Sequence, residues 1–330
     1  MYIKFCMAFS SGGNPVTLIV IFVVIGVVVY LGYRLFKGKK GGLLGAARGL
    51  FSGAQSIASA GSSLVEGSAL ETKRSQRMRA VTTDIGSGLA SLKTKLENAK
   101  ENANFGEDVR GEVAREVEVL GGKAASEKQD ITQAKARLVE VAQELEHIEH
   151  ALGPEKTSVA RIEKMVIRVG KQAKQKGAGE ITSVAVLISS AEALKTDLAS
   201  IEGMIGSLKS NISESSSIID KAKERLEMAM GQISEINSVL TAESEEVPLK
   251  RIEGMVSAID DSLSSISALS ENDSKFEELC VLSGQIMQTL GAAVQKLPRD
   301  AKKVRESVIN VRGELKEHGA SALEAAAAAE

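Results

Sequence analysis

Apolar residues recur along most of this chain at alternating intervals of three and four. That spacing lines one face of an α-helix with a supercoiling seam. The longest run is Val184, Leu187, Ala191, Leu194, Leu198, Ile201, Ile205, Leu208, Ile212, Ser215, Ile219, Ala222, Leu226, Ala229, Ile233, Ile236 and Leu240, with Ser215 its one polar member. It predicts one helix of about 60 residues, ~90 Å long at 1.5 Å per residue, wound left-handed against other helices. A second run, Ile131, Ala134, Leu138, Val141, Leu145, Ile148 and Leu152, stops at Gly153-Pro154, and a third holds Val304, Val308, Val311 and Leu315. Helix breaks are expected at Gly121-Gly122, Gly153-Pro154, 176–179, 243–248, 271–274 and Leu297-Pro298.

The pattern changes completely near the N-terminus. Between Lys4 and Arg34 lie 29 uncharged residues, the last seventeen reading TLIVIFVVIGVVVYLGY. About 20 such residues cross a ~30 Å hydrocarbon core, so a transmembrane helix is expected over 15–36, opened by Pro15. Tyr30 and Tyr33 fall where an interfacial aromatic belt forms. Arg34, Lys37, Lys39, Lys40 and Arg48 follow, with no acid before Glu66. Basic flanks stay cytoplasmic. Residues 1–14 are therefore expected outside the cell membrane and the C-terminal bulk in the cytoplasm, as a single-pass protein. A cleaved signal peptide has a shorter apolar region that ends in small residues, whereas this one is longer and ends in bulky and basic ones.

Residues 37–68 form a basic, glycine-rich juxtamembrane segment. Gly41, Gly45, Gly49 and Gly53 recur every four residues, a spacing that lets two helix backbones approach. An interfacial helix on the inner leaflet and a flexible linker both fit this stretch.

A longer period underlies the heptads. AKARL at 134–138 returns as AKERL at 222–226, offset by 88, and RIEKMV at 161–166 returns as RIEGMV at 251–256, offset by 90. Helices that run unbroken from one unit into the next resemble spectrin-type repeats in architecture, although these units are shorter and lack that family's buried tryptophan pattern. The resemblance implies an all-α, elongated antiparallel bundle of tandem three-helix units. Its repeat units would span 125–210 and 211–297, after a helical region at 69–124 and before a C-terminal helix and Ala-rich tail at 298–330. Within the first unit, Glu140, Glu144, Glu146, Glu149 and Glu155 precede a basic stretch, 156–176. Two helices joined at Gly153-Pro154 would dock acidic face to basic face.

Composition narrows the function. Aromatics are 3%, Trp is absent and only four prolines occur in 330 residues, a helix-bundle profile. Positions 49–330 carry a surplus of eight acids, which argues against a nucleic-acid partner. Cys6 and Cys280 offer no disulfide framework. Glu144-x-x-His147 is half of a di-metal motif, but heptad register puts His147 and His150 on the solvent face. Cys280 follows the seam residue Leu279 and reads as partly buried. No Walker loop, dinucleotide fingerprint or nucleophile elbow is present. No enzyme activity, cofactor, metal or small-molecule substrate is expected.

The expected role is a membrane-anchored helical rod, a scaffold or tether working through coiled-coil contacts, with membrane lipid, protein partners and self-association through the seams as its interactions. A chemoreceptor-like signal coupler without its own sensor domain, or a membrane-remodelling protein, is the alternative.

Overall fold

The computed structural model describes residues 42–101, 106–175, 182–241 and 249–317. These residues form four α-helices and no strand: α1 Leu43–Glu101, α2 Glu107–Gln175, α3 Thr182–Thr241 and α4 Leu249–Glu317. The predicted membrane span at 15–36 lies outside them. No described helix is long and apolar enough to cross a membrane.

The α3 seam is buried as the spacing requires. All of its positions are buried except Val184 and Ile212, which are half-buried. The α2 seam extends well beyond the predicted run. It continues from Val113, Val117, Leu120, Ala124 and Glu127 through Leu152 to Glu155, Val159, Ile162, Val166, Val169 and Ala173. Burying one Val, Leu or Ile side chain contributes about 1.5–3 kcal/mol. A seam of this length therefore outweighs several weak helix formers.

That balance explains why the expected breaks at Gly121-Gly122, Gly153-Pro154, 271–274 and Leu297-Pro298 are absent: α2 and α4 run through them without interruption. An interior proline costs about 3 kcal/mol. Pro154 is exposed, as is His150 one turn before it, so the carbonyl displaced by the ring faces water. The expected joints at 124/125, 210/211 and 297/298 fall inside α2, α3 and α4. The described residues thus form four long helices rather than tandem three-helix units. The AKARL and AKERL echoes are seam segments of different helices.

The chain divides into two compact units, and each holds a stretch of all four helices. The larger unit spans Gly53–Lys156 and Ala193–Asp300. Ion pairs join every neighbouring pair of helices in it: Lys95–Glu116 at 2.5 Å (α1–α2), Lys128–Glu227 at 3.2 Å (α2–α3), Lys296–Asp197 at 2.9 Å (α3–α4) and Lys93–Asp260 at 2.6 Å (α4–α1). The order α1-α2-α3-α4 is therefore cyclic, and each neighbour is antiparallel. Exposed pairs stabilise little individually, but together they select neighbours and register. Arg110, near the start of α2, donates from Nε to the Leu240 carbonyl at 2.7 Å and satisfies the C-terminal end of α3.

Acidic Glu149 pairs with Lys209 of α3, and Lys156 with Glu202 of α3 at 2.6 Å. The acidic and basic stretches of α2 are consecutive parts of one helix and do not dock on each other.

The smaller unit takes α1 up to Ser52, Thr157–Glu192 and α4 from Ala301. Leu43, Ala47 and Leu50 are buried there, as are Val159, Ile162, Val166, Leu187, Val304, Val308 and Val311. The Glu314 carboxylate accepts from the Ser183 N–H at 3.3 Å and from Thr182 Oγ1 at 3.2 Å, so α4 caps the start of α3. In both units most of the described seam residues are buried within the chain.

Pro154→Ala is expected to raise unfolding stability by roughly 1–3 kcal/mol, measured by chemical denaturation. A loss of stability would mean that Pro154 shapes a turn.

Candidate functional site

Of the residues singled out by sequence, Arg34, Lys37, Lys39, Lys40 and Gly41 lie outside the described residues. Arg48 is described and exposed in the second turn of α1. Gly45 and Gly49 are helical, with nothing within 4 Å of the position a Cβ would take. Among the described residues, no close helix approach uses them. Gly53 differs, because a Cβ there would overlap the buried carboxylate of Glu155.

The close helix approach lies further along α1. A methyl group on Gly61 would overlap Val294 of α4, and one on Gly291 of α4 would overlap Val65. Valine is stiff at χ1, so neither neighbour can swing aside. These glycines carry the small-residue contact that the spacing at 41–53 suggested. They were missed because each stands alone rather than in a repeat.

His147 and His150 are exposed, as their register implies, and Glu144 lies 3.8 Å from Arg137. His318 lies outside the described residues. Among the described residues, no group of three or more His, Cys, Asp or Glu side chains is placed to hold a metal ion.

The unusual chemistry is buried in the larger unit. Extending the α2 seam backward by four residues from Ile131 reaches Glu127, which is fully buried, with both carboxylate oxygens lacking a hydrogen-bond partner. Burial, reinforced by the negative charges of Asp273 and Asp130, pushes its acid up to about 9, against a weaker lowering by Arg77. Glu127 is therefore neutral at pH 7. Asp273 of α4 is also buried and is raised to about 6, mainly by burial. Thr82 of α1 donates to Asp273 Oδ2 at 2.5 Å, which favours the charged form and limits that rise. Asp130 is held by Arg77 Nε at 3.1 Å. Three helices thus bring polar groups to the interior here, while α3 contributes the buried Ala222, Leu226 and Ala229 to the same core.

Further along the same interior, Cys280 occupies the seam itself and Leu279 only flanks it, one position off the sequence expectation. Burial pushes its thiol up to about 12, leaving it protonated and a poor nucleophile. A cavity of about 30 Å³ adjoins it, lined among others by Ser68, Glu71, Ser215 and Ser283. That volume admits a water and no larger ligand. Burial also raises the Glu71 carboxyl, chiefly against the pull of Arg74. The arrangement offers no activated nucleophile. Its chemistry is that of a polar core, which specifies helix register at a cost in stability.

Both acids were legible in principle. Glu127 and Glu155 continue the 3-4 spacing on either side of the run that the sequence reading closed at Ile131 and Leu152. Glu155 stands directly after Gly153-Pro154, which reads as a break, and Glu127 is a charged residue where the stripe calls for an apolar one.

The glycine contacts predict opposite signs. Gly61→Ala is expected to destabilise by about 1–3 kcal/mol through overpacking, and Gly49→Ala to be neutral or stabilising by up to about 1 kcal/mol, both from denaturant midpoints. Glu127 gives a pH dependence. Its folded acid lies above the unfolded value, so the folded state binds more protons and stability falls as pH rises from 4.5 toward about 9. Asp273 acts in the same direction, between 3.8 and about 6. Glu127→Gln is therefore expected to flatten the loss of thermal stability between pH 6.5 and 8.5, with wild type and variant converging near pH 5. An unchanged slope would show that Glu127 does not hold its proton.

No protein-family model, curated protein or solved structure matches this chain.

Proposed function

We propose that this chain is a single-pass, membrane-anchored helical scaffold or tether, with its N-terminus outside and its helical bulk in the cytoplasm. The observation that carries the reading is the 29-residue uncharged run with its one-sided basic flank. Only residues 37–42 separate the end of that span from the first turn of α1. Four helices of 59 to 69 residues follow, zipped by seams and interhelical ion pairs. Such a body suits the holding of partners at a set place relative to a membrane, through faces outside its seams. Membrane lipid and partner proteins are its proposed interactions, and catalysis is not part of the reading.

A signal-coupling role is the second reading, favoured by the polar interior at Glu127, Asp273 and Cys280. Polar seam positions are where a bundle has least apolar burial to hold its packing.

Cysteine labelling tests the topology. In a Cys280→Ser variant, Cys6 is expected to react with a membrane-impermeant maleimide in intact cells, and the chain to stay in the membrane pellet after an alkaline carbonate wash. Labelling of Cys6 only after permeabilisation reverses the orientation, and release by the wash removes the anchor.

A further inference from the structure

In the smaller unit, the first turns of α1 and the last turns of α4 enclose a groove of about 350 Å³. Its lining includes Arg48, Arg305, Arg312 and Lys316, with Leu44 and Ile309 as apolar neighbours. Four cations meet there from two helices. Among the described residues, Arg48, Arg305 and Lys316 have no acidic partner. The Arg305 guanidinium stands 5.9 Å from the centre of the Phe51 ring, which supports it by a cation–π contact, and its Nε is buried without a hydrogen-bond acceptor. The acid two residues before Lys316 on α4, Glu314, is turned to the start of α3. Ile309 is 48% exposed, an apolar side chain beside the cationic cluster. Gly313 leaves open space on the groove side.

Charge is also segregated between the units. The described residues of the smaller unit hold eleven Lys and Arg against five Asp and Glu, a positive surplus of six. Those of the larger unit hold 24 against 32, a negative surplus of eight. Chain length supplies the location. Six residues, 37–42, join the uncharged run to α1, and at most about 3.5 Å per residue limits their reach to about 20 Å. The groove begins at Leu44, two residues further on.

We infer that this groove is a binding site for an anionic phospholipid, whose phosphate is held by Arg48, Arg305, Arg312 and Lys316 and whose glycerol and upper acyl chain lie along Leu44 and Ile309. Arginine forks suit phosphate oxygens, and an aliphatic neighbour separates a lipid from a free anion. The inference rests on the membrane-anchored reading. Lipid in the groove would fasten α1 to α4 at the membrane surface, adding to the one covalent tether a second, non-covalent one.

Flotation and lipid retention test the two ideas separately. The full chain is reconstituted into vesicles of phosphatidylcholine alone, or of phosphatidylcholine with phosphatidylglycerol. Flotation with the neutral vesicles reports on the anchor. If the chain fails to float, the anchored reading falls, whatever the groove does. Lipid that stays with the chain after gentle detergent extraction reports on the groove. Phosphatidylglycerol is expected to be enriched over its share of the vesicle, and Arg48→Gln/Arg305→Gln/Lys316→Gln to lower that enrichment roughly tenfold or more. Gly313→Leu, which fills the groove and keeps all four cations, is expected to lower it as well, and covers the case in which the triple variant misfolds. Lys164→Gln/Lys171→Gln/Lys174→Gln, which removes the same charge from α2, is expected to leave it intact. Absence of enrichment overturns the site. So does equal loss in the α2 variant, which would mean diffuse attraction, or full enrichment in Gly313→Leu. Displacement of the lipid by excess inorganic phosphate overturns the lipid as occupant.

Discussion

Each of the four helices buries a stripe whose positions alternate by three and four residues without a slip. In α1 it runs from Leu43 to Ala99 and in α4 from Ile252 to Leu315. A period of 3.5 keeps such a stripe on one face only if the helix stays unbroken and its neighbours wind with it. Four stripes of this length require one another, because none can leave water without the other three. Helix continuity, antiparallel order and the tolerance of Pro154 and Pro298 all follow from that requirement. The energy involved is cumulative: one interior proline costs about as much as the burial of one or two seam residues contributes.

Where the stripe turns polar, the same constraint works against stability. Glu127, Asp273, Ser75, Thr82 and Cys280 occupy buried positions that an aliphatic residue would fill at lower cost. The spacing places them inside, and burial then sets their chemistry. A neutral Glu127 beside an acid that titrates near pH 6 gives the interior two proton-binding groups in place of fixed charges. The thiol is silenced by the same desolvation. Polar groups arriving from three helices also make a shifted register expensive, since a slip of one heptad would strand each of them among aliphatic side chains.

Outside the seams, charge does two kinds of work. In the larger unit, exposed acids and bases pair across every helix boundary, and their value lies in selection of neighbours. In the smaller unit the described basic residues outnumber the acids, and Arg48, Arg305 and Lys316, which have no acidic partner among the described residues, converge on one groove. Arg48, the one described member of the basic flank that follows the uncharged run, is joined at the groove by Arg305, Arg312 and Lys316, which lie more than 250 residues later.

The sequence by itself determined the helices, the face each one buries and the expectation of a membrane span, because periodicity and uninterrupted apolar length are local properties that survive without knowledge of any neighbour. It misjudged the stops. Glycine pairs and Gly-Pro signal a turn only when nothing beyond them continues the stripe, and Val159 through Ala173 continue it after Pro154. The repeat echoes misled for a related reason: seam segments drawn from the same few residues look alike wherever they sit. Only the tertiary structure decided which helices are neighbours, that Gly61 and Gly291 rather than Gly45 and Gly49 permit close approach, and that Glu127 and Asp273 share a core. Those outcomes depend on which side chain stands opposite across a helix interface, and spacing along one chain carries no record of it.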